Sequence, residues 1–395
     1  MQYFILSEAN LPKLLWRAWR DKPTCVVTTR SLAKGAATGH LDKIVDSLRA
    51  KGRITVQRKD HEDRVLYPFF ADLIRCTDVF SESEPWMEKV FKFDKADKTY
   101  GTYAAAYRHI CSCLAFSYYE TAYLIHGLEP EPEESKTVVV GGDQIDEIFH
   151  AHRFGETNKL FQRRLRLDRL INAAMGFAIL VYSVMRVIGY IRIRSPTREE
   201  IFLGSDFAGG PHDNILWNEL AERDKSVVVI PRNSLQAEHY GELLTGQRTC
   251  SKDAGYYSLS GALEALRDVV FDTVKISLRG NHLPSPFFRQ LVTLPHRRVV
   301  YRALFNRFDF KNFWCRDDYN ADHHMRSQEL RRAGSKSFGV MHGIPAICAV
   351  MQQLRHLDFD VYFVAGTYQY ERYYKEKWPA HMRVQSIGTF GLTRE

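Results

Sequence analysis

Two hydrophobic periods alternate along this chain. Short apolar runs of strand length are followed by stretches in which apolar residues return every three or four positions, the spacing of an amphipathic helix. Near the start, Gln2–Leu6 and Thr24–Thr29 read as strands with a helix, Leu11–Trp19, between them. The helix Leu41–Lys51 and the strands Ile54–Gln57 and Thr137–Val140 continue the series. The alternation resumes with strand Ile201–Leu203, helix Asn214–Arg223, strand Val227–Ile230, and helices Ser258–Arg279 and Pro286–Phe308. A helix carrying Arg326, Arg331 and Arg332 then precedes the strands Ser337–Met341, Asp358–Ala365 and Arg383–Ile387, with a Tyr-rich helix Tyr368–Trp378 before the last. Strands that alternate with helices build parallel sheets, so the pattern predicts an α/β protein with two Rossmann-like parts.

One stretch obeys neither period. Ile171–Ile193 is nearly all apolar and is flanked by Arg163, Arg164, Arg166 and Arg169 on one side and Arg192, Arg194 and Arg198 on the other. Its length suffices to cross a bilayer. Arg186 inside the run and basic residues at both ends count against crossing, because a central arginine is costly and the charges give no orientation. Three placements remain open: a helix lying in the membrane interface, which the basic flanks favour, a helix buried between domains, and a span. The chain therefore divides into an N-terminal α/β domain over 1–155, a connecting helix over 156–198, and a C-terminal α/β domain over 199–395.

Chemistry-bearing residues gather where the predicted strands end. The run Ser337–Met341 stops at His342-Gly343, which puts an imidazole at a strand's carboxyl end, the edge where open α/β sheets keep their ligands. Arg316, Asp317, Asp318, Asp322, His323 and His324 lead into the helix of Arg326, and Gly366 and Gly388 close the last two strands. Two glycine-bearing loops between strand and helix, Arg30–His40 with Gly35 and Gly39 and Gly204–His212 with Gly209 and Gly210, are candidate phosphate cradles, since free amides and a helix dipole attract anions. Neither matches a phosphate-loop fingerprint, and a plain turn is the competing reading. Asp143, Asp146 and Glu147 after another strand suit a hydroxylated substrate or the capping of the following helix.

Composition narrows the partners. The 395 residues suggest more than one core, and 55 basic against 47 acidic residues leave +8, which favours anionic partners, nucleotide-sugars, phosphorylated lipids, membrane headgroups or nucleic acid, without choosing among them. Arg297, Arg298, Arg302 and Arg307 stud one helix without the interleaved aromatics of a nucleic-acid surface; they read as a solvated face, and nucleic acid is not an expected partner. Seven scattered cysteines suit free thiols in a reducing cytoplasm. Cys111-x-Cys113 lacks zinc-knuckle spacing, so neither a metal nor a cofactor is expected. The opening MQYFILSEANLPK, without a basic start or cleavage site, reads as a first strand and not a signal peptide.

Within Phe313–Gly391, His342-Gly343 after a strand, followed by DVYFVAG, YERYY and VQSIGTFG, resembles the GT-B enzymes that build bacterial envelope polymers, namely CDP-glycerol glycerophosphotransferases and capsule polysaccharide transferases. Met341 and Ile344-Pro345 stand where the teichoic-type motif has Trp and Thr-Pro. The resemblance implies transfer from a nucleotide-activated donor, sugar or glycerol, to a hydroxyl of a lipid-linked or saccharide acceptor. The apolar helix with its flanking arginines adds the expectation of a peripheral or monotopic protein at the cytoplasmic face of the inner membrane, touching an anionic surface. His342 is the implied base, with Asp317 or Asp318 orienting it or replacing it. Arg316, His323, His324, Arg326, Gly343, Gly366 and Gly388 are the implied substrate contacts. In such enzymes the nucleotide sits chiefly in a domain after the hinge, and this sequence stops at Glu395, about where that domain would start. The donor site is then expected in the first 155 residues or in a separate nucleotide-binding subunit; the other class of reading is a non-catalytic, membrane-docked partner.

Overall fold

A computed structural model describes residues 2–5, 11–28, 40–58, 103–111, 138–140, 159–193, 197–207, 212–231, 241–316, 321–341 and 352–388. The fold is α/β, and the chain separates into two compact units, Met1–Phe80 with Leu114–Gln162, and Ser81–Cys113 with Arg163–Glu395. The second unit thus takes in both the apolar helix and a piece of chain from the first third.

In the first unit β1 (Gln2–Ile5), β2 (Thr24–Thr28), β3 (Thr55–Arg58) and β4 (Val138–Val140) form a sheet of order β3-β2-β1-β4. All its pairings are parallel. Helices α1 (Leu11–Trp19) and α2 (His40–Ala50) lay Leu14, Ala18 and Val45 on Val26 and Ile54 of the sheet side. Gly52 after α2 has φ +66, the left-handed turn that glycine adopts at low cost.

The second unit carries a six-stranded sheet, β5 (Glu199–Phe207), β6 (Val227–Pro231), β7 (Phe308–Cys315), β8 (Lys336–Val340), β9 (Val361–Val364) and β10 (Arg383–Ser386). Its order is β10-β9-β8-β7-β5-β6, parallel throughout. Going outward from β5, the chain first adds β6 on one side and then β7 on the other. That reversal is a topological switch point, the place where open α/β sheets hold ligands at the strands' carboxyl ends. The strand that flanks it, β7, was not among the expected ones: the predicted helix Pro286–Phe308 overran its start. In its place stand two helices, Ser285–Val292 and Leu294–Arg307, separated at Thr293, with a proline in the first turn of each, where a missing N–H costs least. The expected helix Tyr368–Trp378 is a single helical turn, Thr367–Gln369, running into a π-turn at Tyr370–Tyr374. There Trp378 stacks on Tyr374 and donates its indole N–H to Leu354 O. Aromatic crowding, not helix propensity, sets this segment.

The remaining helices of this unit are α3 (residues 103–111), α4 (Lys159–Tyr190), α5 (His212–Glu222), α6 (Leu259–Arg279), α7 (Ser285–Val292), α8 (Leu294–Arg307) and α9 (Asp322–Arg332). Close backbone approach fixes one contact: a side chain on Gly204 of β5 would collide with Phe310 and Phe313 of β7 within 2.8 Å.

Helix α4 contains the apolar run, and it is polarised in the unusual sense. The face turned to the protein is polar or small. Asp168 accepts from Ser285 Oγ (2.9 Å) at the start of α7, and Asn172 donates to Leu283 O (2.8 Å). Gly176 lies so near Ser277 that a Cβ would come within 2.3 Å of its hydroxyl, Ser183 completes the polar stripe, and at the end of the helix Val187 and Tyr190 join an apolar cluster. The face turned to solvent is apolar: Leu167, Leu170, Ile171, Phe177, Val181, Tyr182, Met185 and Ile188 are exposed. Of the apolar part of this helix, 22% is buried. The neighbouring helix α6 also exposes large apolar residues, Leu259, Leu263, Phe271, Val274 and Leu278, while it buries Ala262, Ala265, Val269, Thr273 and Ile276. Val187 and Tyr190 pack with Ala262 and Ala265 near the start of α6, whereas Gly176 meets Ser277 near its end, so α4 and α6 run antiparallel.

Candidate functional site

The carboxyl ends of β5 and β7 meet at the switch point. Register pairs Ser205 with Trp314, which sets Asp206 beside Cys315. From α9, which starts on the same edge, Arg326 reaches back: its Nη1 donates to Asp206 Oδ2 at 2.9 Å and its Nη2 to Cys315 Sγ. The guanidinium also lies over the Phe313 ring at 5.3 Å, and the side chain is buried. Alongside, Trp314 donates its indole N–H to Asp213 Oδ1 (2.9 Å) in the first turn of α5. Asp206, expected in the loop Gly204–His212, stands in β5, which runs on to Phe207, and forms an ion pair with the arginine of the later helix.

Asp322, at the head of α9, is a second node. It accepts from Arg297 (2.7 Å), Lys252 (3.0 Å) and the Tyr301 hydroxyl (3.4 Å). Burial works to raise its pKa, yet the charges of Lys252 and Arg297 outweigh that and hold the carboxyl well below the usual range. Burial pushes the Tyr301 hydroxyl up to about 12. Sequence reasoning did not single out Lys252 or Tyr301; they come to this edge only because α8 and the segment before α6 pack beside α9.

At the opposite edge of the sheet a cleft of about 660 Å³ opens among Arg198, Ser258, Glu264, Arg302, Asn306 and Arg332. Its charges are engaged with one another. Glu329, fully enclosed, accepts from Arg298 Nη2 (2.8 Å) and Arg302 Nε (3.1 Å), and Arg302 also reaches Asp268 (2.9 Å). Burial favours the neutral carboxyl, but Arg302 and Arg298 hold the Glu329 pKa down to about 2. The expectation that Arg298 and Arg302 form a solvated face is thus corrected: their partner sits one helix away on α9. This cleft lies at the amino ends of the strands, away from the switch point, and its size does not outweigh that position.

His323 and His324 are not at the surface of the carboxyl edge. Both are completely buried, packed against His109 of α3 with ring centroids 4.7 and 5.4 Å away and 4.1 Å from each other. His323 stacks on Phe359 (5.1 Å). Burial, reinforced by the neighbouring His109, lowers the His324 pKa to about 3, so its ring is neutral at physiological pH. Asp358 closes the group: its Oδ2 is 2.8 Å from Arg331 and 4.0 Å from His324 Nδ1, and its Oδ1 is 3.1 Å from His381. Against burial, which raises it, Arg331 and His381 keep the Asp358 carboxyl ionised. His109 was not foreseen, since nothing in the sequence links it to a pair of residues so much further along.

The other expected residues distribute as follows. Arg316 directly follows β7 and is buried. Gly366 has extended backbone that any residue adopts, whereas Gly388 has φ +76 and turns the chain after β10. Met341 continues the ladder of β8, its N–H donating to Phe363 O (2.9 Å), and His342 is the next residue in sequence. His342, Gly343, Asp317, Asp318, Gly35, Gly39, Gly209, Gly210, Asp143, Asp146 and Glu147 lie outside the described residues. No protein-family model, curated protein or solved structure matches this chain.

Proposed function

We propose that this chain is a GT-B-like transferase of bacterial cell-surface polysaccharide or lipopolysaccharide synthesis, moving a glycosyl or glycerophosphoryl group from a nucleotide-activated donor to a hydroxyl acceptor. The observation that carries the reading is the order of the six-stranded sheet. Its switch point lies between β5 and β7, and the strand next to β7 leads straight into His342. In this reading His342 takes the acceptor proton, and cationic groups of the same edge, Arg316 foremost, balance the departing phosphate. Arg326 plays a supporting part, since Asp206 already balances its charge. His323 and His324 leave the list of direct substrate contacts, because they are sealed in the interior.

The reaction is proposed to occur at the cytoplasmic membrane surface, with a lipid-linked or saccharide acceptor. Support comes from the exposed apolar faces of α4 and α6 and from the basic residues beside them, among them Arg169, Arg192, Arg267 and Arg279. An apolar face rimmed by cations fits a bilayer with anionic headgroups. Helix α4 is tied to α6, α7 and α8 along its length, through Asn172, Gly176 and Val187. A span would drag those charged helices into hydrocarbon, so the helix is proposed to lie along the surface. The same faces also favour the second reading, a membrane-docked partner subunit without catalysis of its own.

Donor binding separates the two. Calorimetry of the purified chain with CDP-glycerol and with uridine-, guanosine- and cytidine-linked sugars, with anionic vesicles present, is expected to show one donor that binds. His342→Ala should keep that affinity within about threefold while turnover falls by about 10²–10⁴. Absence of binding by every donor tried removes the transferase reading and leaves the partner subunit.

A further inference from the structure

We infer that His109, His323, His324 and Asp358 form a closed zinc site inside the second unit. The decisive observation is a single carbonyl. His356 O accepts from His109 Nδ1 at 2.6 Å and from His324 Nε2 at 3.1 Å. A carbonyl oxygen brings no proton of its own, so both nitrogens carry hydrogen, and in neutral rings the opposite nitrogens, Nε2 of His109 and Nδ1 of His324, carry lone pairs. Metal-ligating histidines are characteristically oriented in this way, by the second ring N–H donating to a backbone carbonyl.

His324 Nδ1 lies 4.0 Å from Asp358 Oδ2, and it has no hydrogen-bond partner among the described residues. Asp358 Oδ2 also accepts from Arg331 at 2.8 Å, and a carboxylate oxygen keeps a further lone pair that a cation beside His324 would take. The third imidazole supplies the rest: one ring nitrogen from each of His109, His323 and His324 lies within 4.8 Å of the other two. A tetrahedral ion with bonds of about 2.0–2.1 Å holds its ligand atoms about 3.3 Å apart, so binding shortens the nitrogen–nitrogen separations by up to about 1.5 Å. Three imidazole nitrogens with one carboxylate oxygen are a donor set for Zn²⁺, too soft for Mg²⁺ or Ca²⁺. All four side chains are buried, which leaves no open position for substrate, and the site is structural. It ties α3, from the first third of the sequence, to α9 and to the segment leading into β9.

This inference does not depend on the transferase reading. The full chain, purified without chelator or metal-affinity resin from medium supplied with zinc, should carry about one zinc per chain by mass spectrometry. Replacing zinc with Co²⁺ should give the intense visible bands of a tetrahedral, nitrogen-ligated ion, and chelation should lower the thermal midpoint reversibly. His109→Asn and His324→Asn should each lose the metal, while His296→Asn, whose ring meets Tyr182 and Ser183 instead, should retain it. If the histidine variants fail to fold, as judged by circular dichroism, the cobalt spectrum of the wild-type chain decides the matter. A metal-free protein that takes up neither Zn²⁺ nor Co²⁺ at tens of micromolar overturns the site, as does zinc retained in both folded variants.

Discussion

Replacing Phe177, Met185 and Ile188 together with serine should release the protein from anionic vesicles without unfolding it. These side chains are 69, 61 and 49% exposed, all on the outer face of α4. Full burial of a side chain of this kind is worth about 1.5–3 kcal/mol, so the part that a bilayer can still cover contributes about 1–1.5 kcal/mol each. Three substitutions then remove about 3–4 kcal/mol, a drop in partition coefficient of about 10²–10³. Folding is spared because exposed positions away from packed contacts change stability by about 0.5 kcal/mol or less apiece. The assay is co-sedimentation with vesicles containing phosphatidylglycerol, read beside a thermal melt. Raising salt should weaken the wild type too, since the arginines beside the face act through screened charge. A triple variant that partitions within threefold of wild type, with an unchanged melt, would show that α4 does not touch the bilayer and would refute the reasoning.

Further perturbations probe the interior. Glu329→Gln should cost about 3–5 kcal/mol, because it leaves two buried guanidinium groups under-compensated, and a urea midpoint shift equivalent to less than about 1 kcal/mol would rule that out. The Glu329 carboxyl, with a folded pKa near 2 against 4.5 unfolded, contributes stability above pH 4.5 that is lost as pH falls through 2; Glu329→Gln should therefore flatten the acid limb of the stability curve. His296, which burial and the nearby Arg186 and Arg297 hold near 4, binds its proton more readily unfolded. It should make stability rise with pH between about 4 and 6.5, by up to about 3 kcal/mol, and His296→Gln should remove that slope in denaturant melts taken across the window. Gly176→Leu should separate α4 from α6, since even a Cβ there comes within 2.3 Å of Ser277 Oγ, and the melt should fall by several degrees.

Strand–helix alternation was readable where apolar runs were short and bounded, as at Val227–Pro231 or Arg383–Ser386. It failed at β7. The residues 299–308 suit a helix well enough that the predicted one ran on to Phe308, yet F-D-F-K from that point alternates aromatic and polar residues in the strand period. Recognising that period would have supplied the strand that makes the switch point, and with it the pairing of Asp206 with Arg326. The polarity of α4 was also legible. Asp168, Asn172, Gly176, Ser183 and Val187 recur at helical spacing, a small and polar stripe inside an apolar run. Such a stripe argues that the rest of the protein packs on that side.

The histidine cluster was legible only in part, and the reason is physical. Adjacent histidines at a helix start look like surface ligands for phosphate, and nothing local says that a third ring will cover them. What seals them is packing between elements far apart in the chain, α3 over α9. The same holds for the arginines of α8. Arg298 and Arg302 stand one helical turn apart and so share a face, which by itself reads as solvated. Their face became interior because α9 offers one carboxylate, Glu329, at the height of both. A buried acid between two guanidinium groups adds little to net stability compared with an apolar pair, but it penalises every other register in which a charge would stand alone. The ionic pairs of α8 and α9 therefore act as a register lock. The lock matters for the proposed chemistry because α9 also carries Asp322 and Arg326 to the switch point, and a slip of one turn would move both away from Lys252, Arg297 and Asp206.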